Sequence, residues 1–191
     1  GMVTEDGGST FRVTHSLYNS NYDYAFDPDD DQLVWAAVGN EHDFPVDQYA
    51  RYTNGVEGGV FESHDRGLSW KRITPNDSRF NRQFLSVAYD SIHEILYAGT
   101  QGKGIARSMD HGHTWSYFNS GFPMSAKIIP QIEIDPNSGD AYALLAGDAP
   151  DFSNQEDTGI YFLEAGSSSW IKLRGQIETP STVLASQKLW Y

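Results

Sequence analysis

A chain of 191 residues is long enough for one ordinary domain with a substantial core, and its 26 Asp and Glu against 13 Lys and Arg give a formal charge of -13. That balance excludes the basic footprint nucleic acid demands, argues against an anionic membrane surface and suits a neutral or cationic partner. There is no cysteine, hence no disulfide framework and no thiol chemistry, and no apolar run approaches the length that spans a bilayer.

Gly1 before Met2 reads as a scar from tag removal, and the N-terminal residues have neither the charged nor the apolar region of a signal peptide. The first element is Thr4-Glu5-Asp6-Gly7-Gly8-Ser9-Thr10-Phe11, and it recurs. Ser63-His64-Asp65-Arg66-Gly67-Leu68-Ser69-Trp70 and Ser108-Met109-Asp110-His111-Gly112-His113-Thr114-Trp115 repeat the frame Ser/Thr-x-Asp-x-Gly-x-Ser/Thr-aromatic. A fourth copy, Leu163-Glu164-Ala165-Gly166-Ser167-Ser168-Ser169-Trp170, keeps the closing Ser-Trp but has Ala165 and Ser167 where Asp and Gly belong. The frame reads as a tight turn between strands. Its Asp accepts hydrogen bonds from nearby backbone N–H groups, its Gly supplies a conformation other residues resist, and its aromatic starts the next strand and buries its ring.

Between frames the chain has strand chemistry. Tyr24-Ala25-Phe26-Asp27-Pro28, Val87-Ala88-Tyr89-Asp90-Ser91 and Ile132-Glu133-Ile134-Asp135-Pro136 are apolar runs ending in an Asp turn, each answered by a second run at residues 33–38, 95–98 and 141–145. A third strand leads into each frame and an outermost one leaves it, at residues 70–73, 115–118 and 170–173. Helical periodicity is nearly absent. Four short antiparallel strands, repeating about every 45 to 60 residues, are what a propeller blade requires. The reading is therefore all-β: one propeller domain over residues 1–191, with blades near 22–74, 84–119 and 129–174 and half blades at 1–15 and 180–191. Two arrangements fit the half blades. They pair into a fourth blade that closes a small ring, or the chain is an excerpt from a larger propeller, whose open edges would pair with a second copy into a homodimer.

The frame resembles the Asp-box, or BNR, repeat of β-propellers such as sialidases, xyloglucan-active glycosidases, sortilin-type receptors and photosystem assembly factors. The resemblance implies that Asp6, Asp65, Gly67, Trp70, Asp110, Gly112, Trp115 and Trp170 are structural, on an outer rim away from any site. Asp65→Ala is then expected to destabilise rather than inactivate. Resemblance to exported propellers also implies an extracytoplasmic location, periplasmic or secreted, with the signal outside this chain. The cysteine-rich module that follows the propeller in sortilin-type receptors has no counterpart.

Strand alternation puts the frames and Asp turns on one face. Connections between blades and between second and third strands fall on the other, where function on a rigid scaffold usually lives. Residues 40–57 include His42, Asp43, Phe44, Asp47, Tyr49, Arg51 and Tyr52, and residues 148–158 include Asp148, Asp151, Phe152, Glu156 and Asp157, while the middle loop is only Thr100-Gln101-Gly102-Lys103. Rings that stack on sugars beside carboxylates that take hydroxyl hydrogen bonds suit a carbohydrate. His42, Phe44, Tyr49, Arg51, Tyr52, Phe152 and Glu156 are thus the ligand-binding candidates, and His15, Tyr18, Tyr22, Arg79, Arg82 and Phe122 could add to them from inter-blade connections. A long polar loop is also what solvated surface looks like.

A glycosidase would need two carboxylates about 5 to 9 Å apart, and Asp43 or Asp47 facing Asp148 or Asp151 are the candidates. The run Trp35-Ala36-Ala37-Val38-Gly39 through Gly58-Gly59-Val60-Phe61-Glu62-Ser63 looks similar to xyloglucan-active propellers. Their catalytic Asp lies in a Thr-Asp-x-Gly-Gly stretch, however, and the nearest match here, Thr100-Gln101-Gly102-Lys103-Gly104, has Gln101, which is neither acid nor base. The Arg-Ile-Pro stretch of sialidases is absent. Asp27-Pro28-Asp29-Asp30-Asp31 clusters oxygens but lacks the glycine-containing spacing of a calcium loop, so neither a metal nor a cofactor is expected. Two classes remain: a non-catalytic module that binds glycan or protein, and part of a glycoside hydrolase.

Overall fold

The computed structural model describes residues 2–13, 20–39, 58–77, 79–80, 83–123, 128–146 and 157–173. These residues form strands and no α-helix. β1 (Met2–Val3) and β2 (Arg12–Val13) make a two-stranded ribbon. The first full sheet is β3 (Ser20–Phe26), β4 (Val34–Gly39), β5 (Gly59–Ser63) and β6 (Lys71–Arg72). The second is β7 (Phe84–Asp90), β8 (Ile95–Thr100), β9 (Ile105–Ser108) and β10 (Ser116–Tyr117), and the third is β11 (Ile128–Ile134), β12 (Ala141–Ala146), β13 (Gly159–Leu163) and β14 (Ile171–Lys172). Every sheet is an antiparallel meander in chain order. This is the four-stranded blade the repeat implies. Residues 180–191, read as a half blade, lie outside the described residues.

The outer strands are shorter than the sequence suggests, two residues each. Trp70 and Trp115 stand just ahead of them, with the indole folded back over the turn. Nε1 donates to the Gly67 carbonyl at 2.9 Å and to the Gly112 carbonyl at 3.0 Å. Trp115 and Trp170 are buried, but the ring of Phe11 is 57% exposed, against the expectation that each frame aromatic buries its ring.

The core lies between blades. Trp35, Val60, Phe80, Phe84, Leu96 and Trp115 fill the space between the first two, while Tyr97, Ile105, Ile129, Leu145, Tyr161 and Trp170 fill the next. Burying side chains of this size contributes about 1.5 to 3 kcal/mol each. The first strands sit side by side, β7 packed against both β3 and β11. Each has a register break at the same place: Asn21/Asp23, Phe84/Ser86 and Ile128/Gln131. A bulge leaves backbone groups without ladder partners, and side chains from equivalent positions use them. Val87 N donates to Asp23 Oδ2 at 3.0 Å, and Ser86 Oγ donates to the Ile129 carbonyl at 3.0 Å. One stitch joins the first blade to the second and the other joins the second to the third.

Candidate functional site

The Asp frames form braced turns. Asp65 Oδ1 accepts from Ser69 N and from Ser63 Oγ, both at 2.7 Å, and Oδ2 accepts from Ser69 Oγ at 2.5 Å. Ser63 Oγ in turn accepts from Gly67 N at 2.8 Å. Asp110 repeats this with Thr114 and Ser108, and Asp6 with Thr10 and Thr4. Each carboxyl is held at about 2, well below its ordinary value, chiefly by the hydroxyl of Ser69, Thr114 or Thr10 and then by the same residue's N–H. Both oxygens are engaged within the turn, as bracing requires.

The backbone asks for more than the single Gly the sequence suggests. Arg66 (φ 59°) and Gly67 (φ 83°) are both left-handed, as are His111 (φ 52°) and Gly112 (φ 83°). The fourth turn differs. Only Gly166 is left-handed there, Ser167 N donates to the Glu164 carbonyl, and Ala165 N donates to Asp140 Oδ1 at 2.8 Å. Asp140 thus accepts the N–H that Asp65 and Asp110 give to their frame's own Ser hydroxyl, which Leu163 cannot supply.

In the Asp27–Asp31 run, Asp27 Oδ1 accepts from Asp29 N at 2.8 Å, Asp30 Oδ1 accepts from Gln32 N at 3.0 Å, and Asp31 pairs with Arg66. Those oxygens serve the turn. Among the described residues no group of three or more His, Asp or Glu side chains is placed to hold a metal ion.

The opposite face is built differently. Thr100, fully buried, donates from Oγ1 to the Gly104 carbonyl at 2.7 Å and accepts from Lys103 N. Asn119 latches this loop from outside: its Oδ1 accepts from Ile105 N at 2.9 Å and its Nδ2 donates to the Lys103 carbonyl at 2.8 Å. Gln101 N donates to the Gln83 carbonyl at 3.1 Å. Side-chain amides here have unused capacity. Among the described residues, both amide atoms of Gln83 are buried without a hydrogen-bond partner, as are Asn21 Oδ1 and Gln101 Oε1. Gln83 is only 5% exposed. Its side chain, with the Tyr22 ring, crowds Gly39 at the end of β4, from which residues 40–57 depart.

The sequence candidates divide sharply. His42, Asp43, Phe44, Asp47, Tyr49, Arg51, Tyr52, Asp148, Asp151, Phe152 and Glu156 lie outside the described residues, as do His15, Tyr18 and Arg82. Arg79 is paired with Asp77 at 2.7 Å. Phe122, half-buried, stacks on Trp170 at 5.2 Å and meets Tyr161 edge-on at 5.0 Å, which makes it part of the packing between blades. The amides of Asn21 and Gln83 were not singled out by sequence, because nothing local marks a glutamine as unpaired.

Blades of this connectivity, packed through their faces with first strands adjacent, are those of a β-propeller. No family model matches the sequence. A xyloglucanase of Hypocrea jecorina (strain QM6a) is 30% identical over 125 residues, covering 62% of this chain and 13% of that protein. Among solved structures, an ancestral GH74 enzyme matches with a TM-score of 0.61 at 24% identity, covering 83% of this chain and 21% of its own. YCF48 bound to D1 peptide matches at 0.52 and 18% identity, covering 89% of this chain and 46% of its own. The chain thus spans less than half the length of each of these relatives.

Proposed function

We propose that this protein is a non-catalytic propeller module that binds carbohydrate or protein through the face opposite the frame turns. The observation that carries the reading is Gln83. A buried amide with neither donor nor acceptor satisfied among the described residues costs about 1 to 3 kcal/mol, and its side chain lies against Gly39, from which residues 40–57 depart. Groups that both donate and accept match sugar hydroxyls and peptide backbone alike. Gln101, in the stretch that most nearly matches the one holding the catalytic Asp of xyloglucan-active propellers, supports binding without turnover.

The second reading, part of a glycoside hydrolase, is favoured by the 30% identity to a xyloglucanase. Affinity electrophoresis through gels containing xyloglucan, other β-glucans and chitin-like polymers, with a reducing-sugar assay on the same panel, separates the two. Retardation without released sugar is the expected result. Sugar release would favour the hydrolase, and single Asn replacements of Asp43, Asp47, Asp148 and Asp151 would then be compared. If neither is seen, carbohydrate is removed and an extended peptide is the next ligand to titrate. Gln83→Met is expected to weaken retardation roughly tenfold while raising stability by about 1 to 3 kcal/mol, since it removes the unsatisfied amide at nearly constant volume. A variant that binds as tightly as the parent would remove Gln83 from the site.

A further inference from the structure

Asn21, Gln83 and Gln101 stand at the same end of the first two blades. Asn21 lies near the start of β3, Gln83 immediately precedes β7 and Gln101 immediately follows β8. Asn21 is paired with Val38, the neighbour of Gly39 on β4. The Tyr22 ring and the Gln83 amide both crowd Gly39: a Cβ there would fall 2.8 Å from the ring and 3.2 Å from Gln83 Oε1. Only glycine at this position lets ring and amide approach together. Gln101 N donates to the Gln83 carbonyl, which ties the second amide to the third position.

The atoms left without partners among the described residues are unequal in kind. Asn21 Oδ1, Gln83 Oε1 and Gln101 Oε1 accept, and Gln83 Nε2 alone donates. A sugar hydroxyl or a peptide unit brings a donor and an acceptor together, and so leaves such a set with acceptors to spare. A guanidinium brings only N–H donors. It also stacks on an aromatic face and sheds water more readily than an ammonium does. No hydrogen bond holds the Gln83 amide among the described residues, so it turns toward an incoming group without breaking one. The formal charge of -13 favours approach of a cation. Resting on the binding reading above, we propose that the ligand of this face is a polypeptide that enters with an arginine side chain. The guanidinium donates to the amide oxygens of Asn21, Gln83 and Gln101 and stacks on Tyr22, while Gln83 Nε2 donates to a carbonyl of the same peptide.

The test is calorimetric titration of the 191-residue chain with a short glycine peptide carrying one central arginine, and with the same peptide carrying lysine or citrulline there. Citrulline keeps the shape of arginine but replaces one nitrogen by an acceptor oxygen and removes the charge. The arginine peptide should bind, and each of the other two should bind about tenfold or more weakly. Gln83→Glu exchanges the donor for a charged acceptor at constant shape and should tighten the arginine peptide by about tenfold. Asn21→Asp, at a half-buried position, should act in the same sense and provides the comparison if Gln83→Glu does not retain the parent circular dichroism. Equal affinity for arginine and citrulline would overturn the proposal, as would weaker binding of the arginine peptide by both acidic variants. A glucan or an arginine-free peptide that binds where the arginine peptide does not would also overturn it, yet leave the binding module standing; a chain that binds none of these probes would overturn both.

Discussion

At the scale of single residues, the frame carboxylates set an acid limit on stability. Asp6, Asp65 and Asp110 are each held at about 2, below the ordinary carboxyl value of 3.8. A lowered folded value contributes stability above the unfolded value, and that contribution is lost as pH falls from about 4 through about 2. Asp65→Asn should therefore flatten the acid limb of urea midpoint against pH, with the largest gap from the parent at neutral pH. An unchanged profile would show that Asp65 does not brace the turn. Asp23 works in the opposite sense. Burial raises its carboxyl, against the N–H of Val87 that favours the ion, so its contribution is complete at low pH and declines as pH rises through the folded value.

At the scale of an element, the loop between β8 and β9 depends on one side chain from beyond β10. Asn119→Ala would strip Ile105 N and the Lys103 carbonyl of their partners, and a loss of about 1 to 3 kcal/mol is expected by denaturant titration. Asn119→Asp separates the two roles, since a carboxylate still accepts from Ile105 N but cannot donate to Lys103. Where the second blade meets the third, Gly121 is left-handed (φ 90°), and a Cβ there would fall 1.9 Å from the Trp170 carbonyl. No side chain fits without moving a backbone whose Trp170 N–H already bonds the Ser120 carbonyl at 2.8 Å. The sequence marks Trp170 as a frame aromatic; only the packed structure shows that its turn leans on the preceding blade.

At the scale of the whole molecule, cohesion comes from contacts between blades. Trp170→Ala is expected to cost about 3 to 5 kcal/mol, because its 2%-exposed ring fills the space shared with Phe118, Phe122 and Tyr97. Ser86→Ala should cost about 1 kcal/mol by cutting the stitch to Ile129. If blades were independent units, Trp170→Ala would leave the first blade's unfolding untouched. A single transition, shifted as a whole when followed by hydrogen exchange in β4 as well as β12, is the expected result.

The blade is legible in the amino-acid sequence alone. Asp, Gly and Trp at fixed spacing, flanked by short apolar runs, state a turn and its two strands through interactions confined to eight residues, and that is why the frames at Asp65 and Asp110 can be read without a structure. Whatever depends on distant partners had to wait for the packed chain. The acceptor for Ala165 N comes from Asp140, Phe122 belongs to the packing under Trp170, and Gln83 is left with an unsatisfied amide beside Gly39. The physical reason is range: a turn closes on its own neighbours, whereas the burial and pairing of a side chain are set by whichever blade arrives against it.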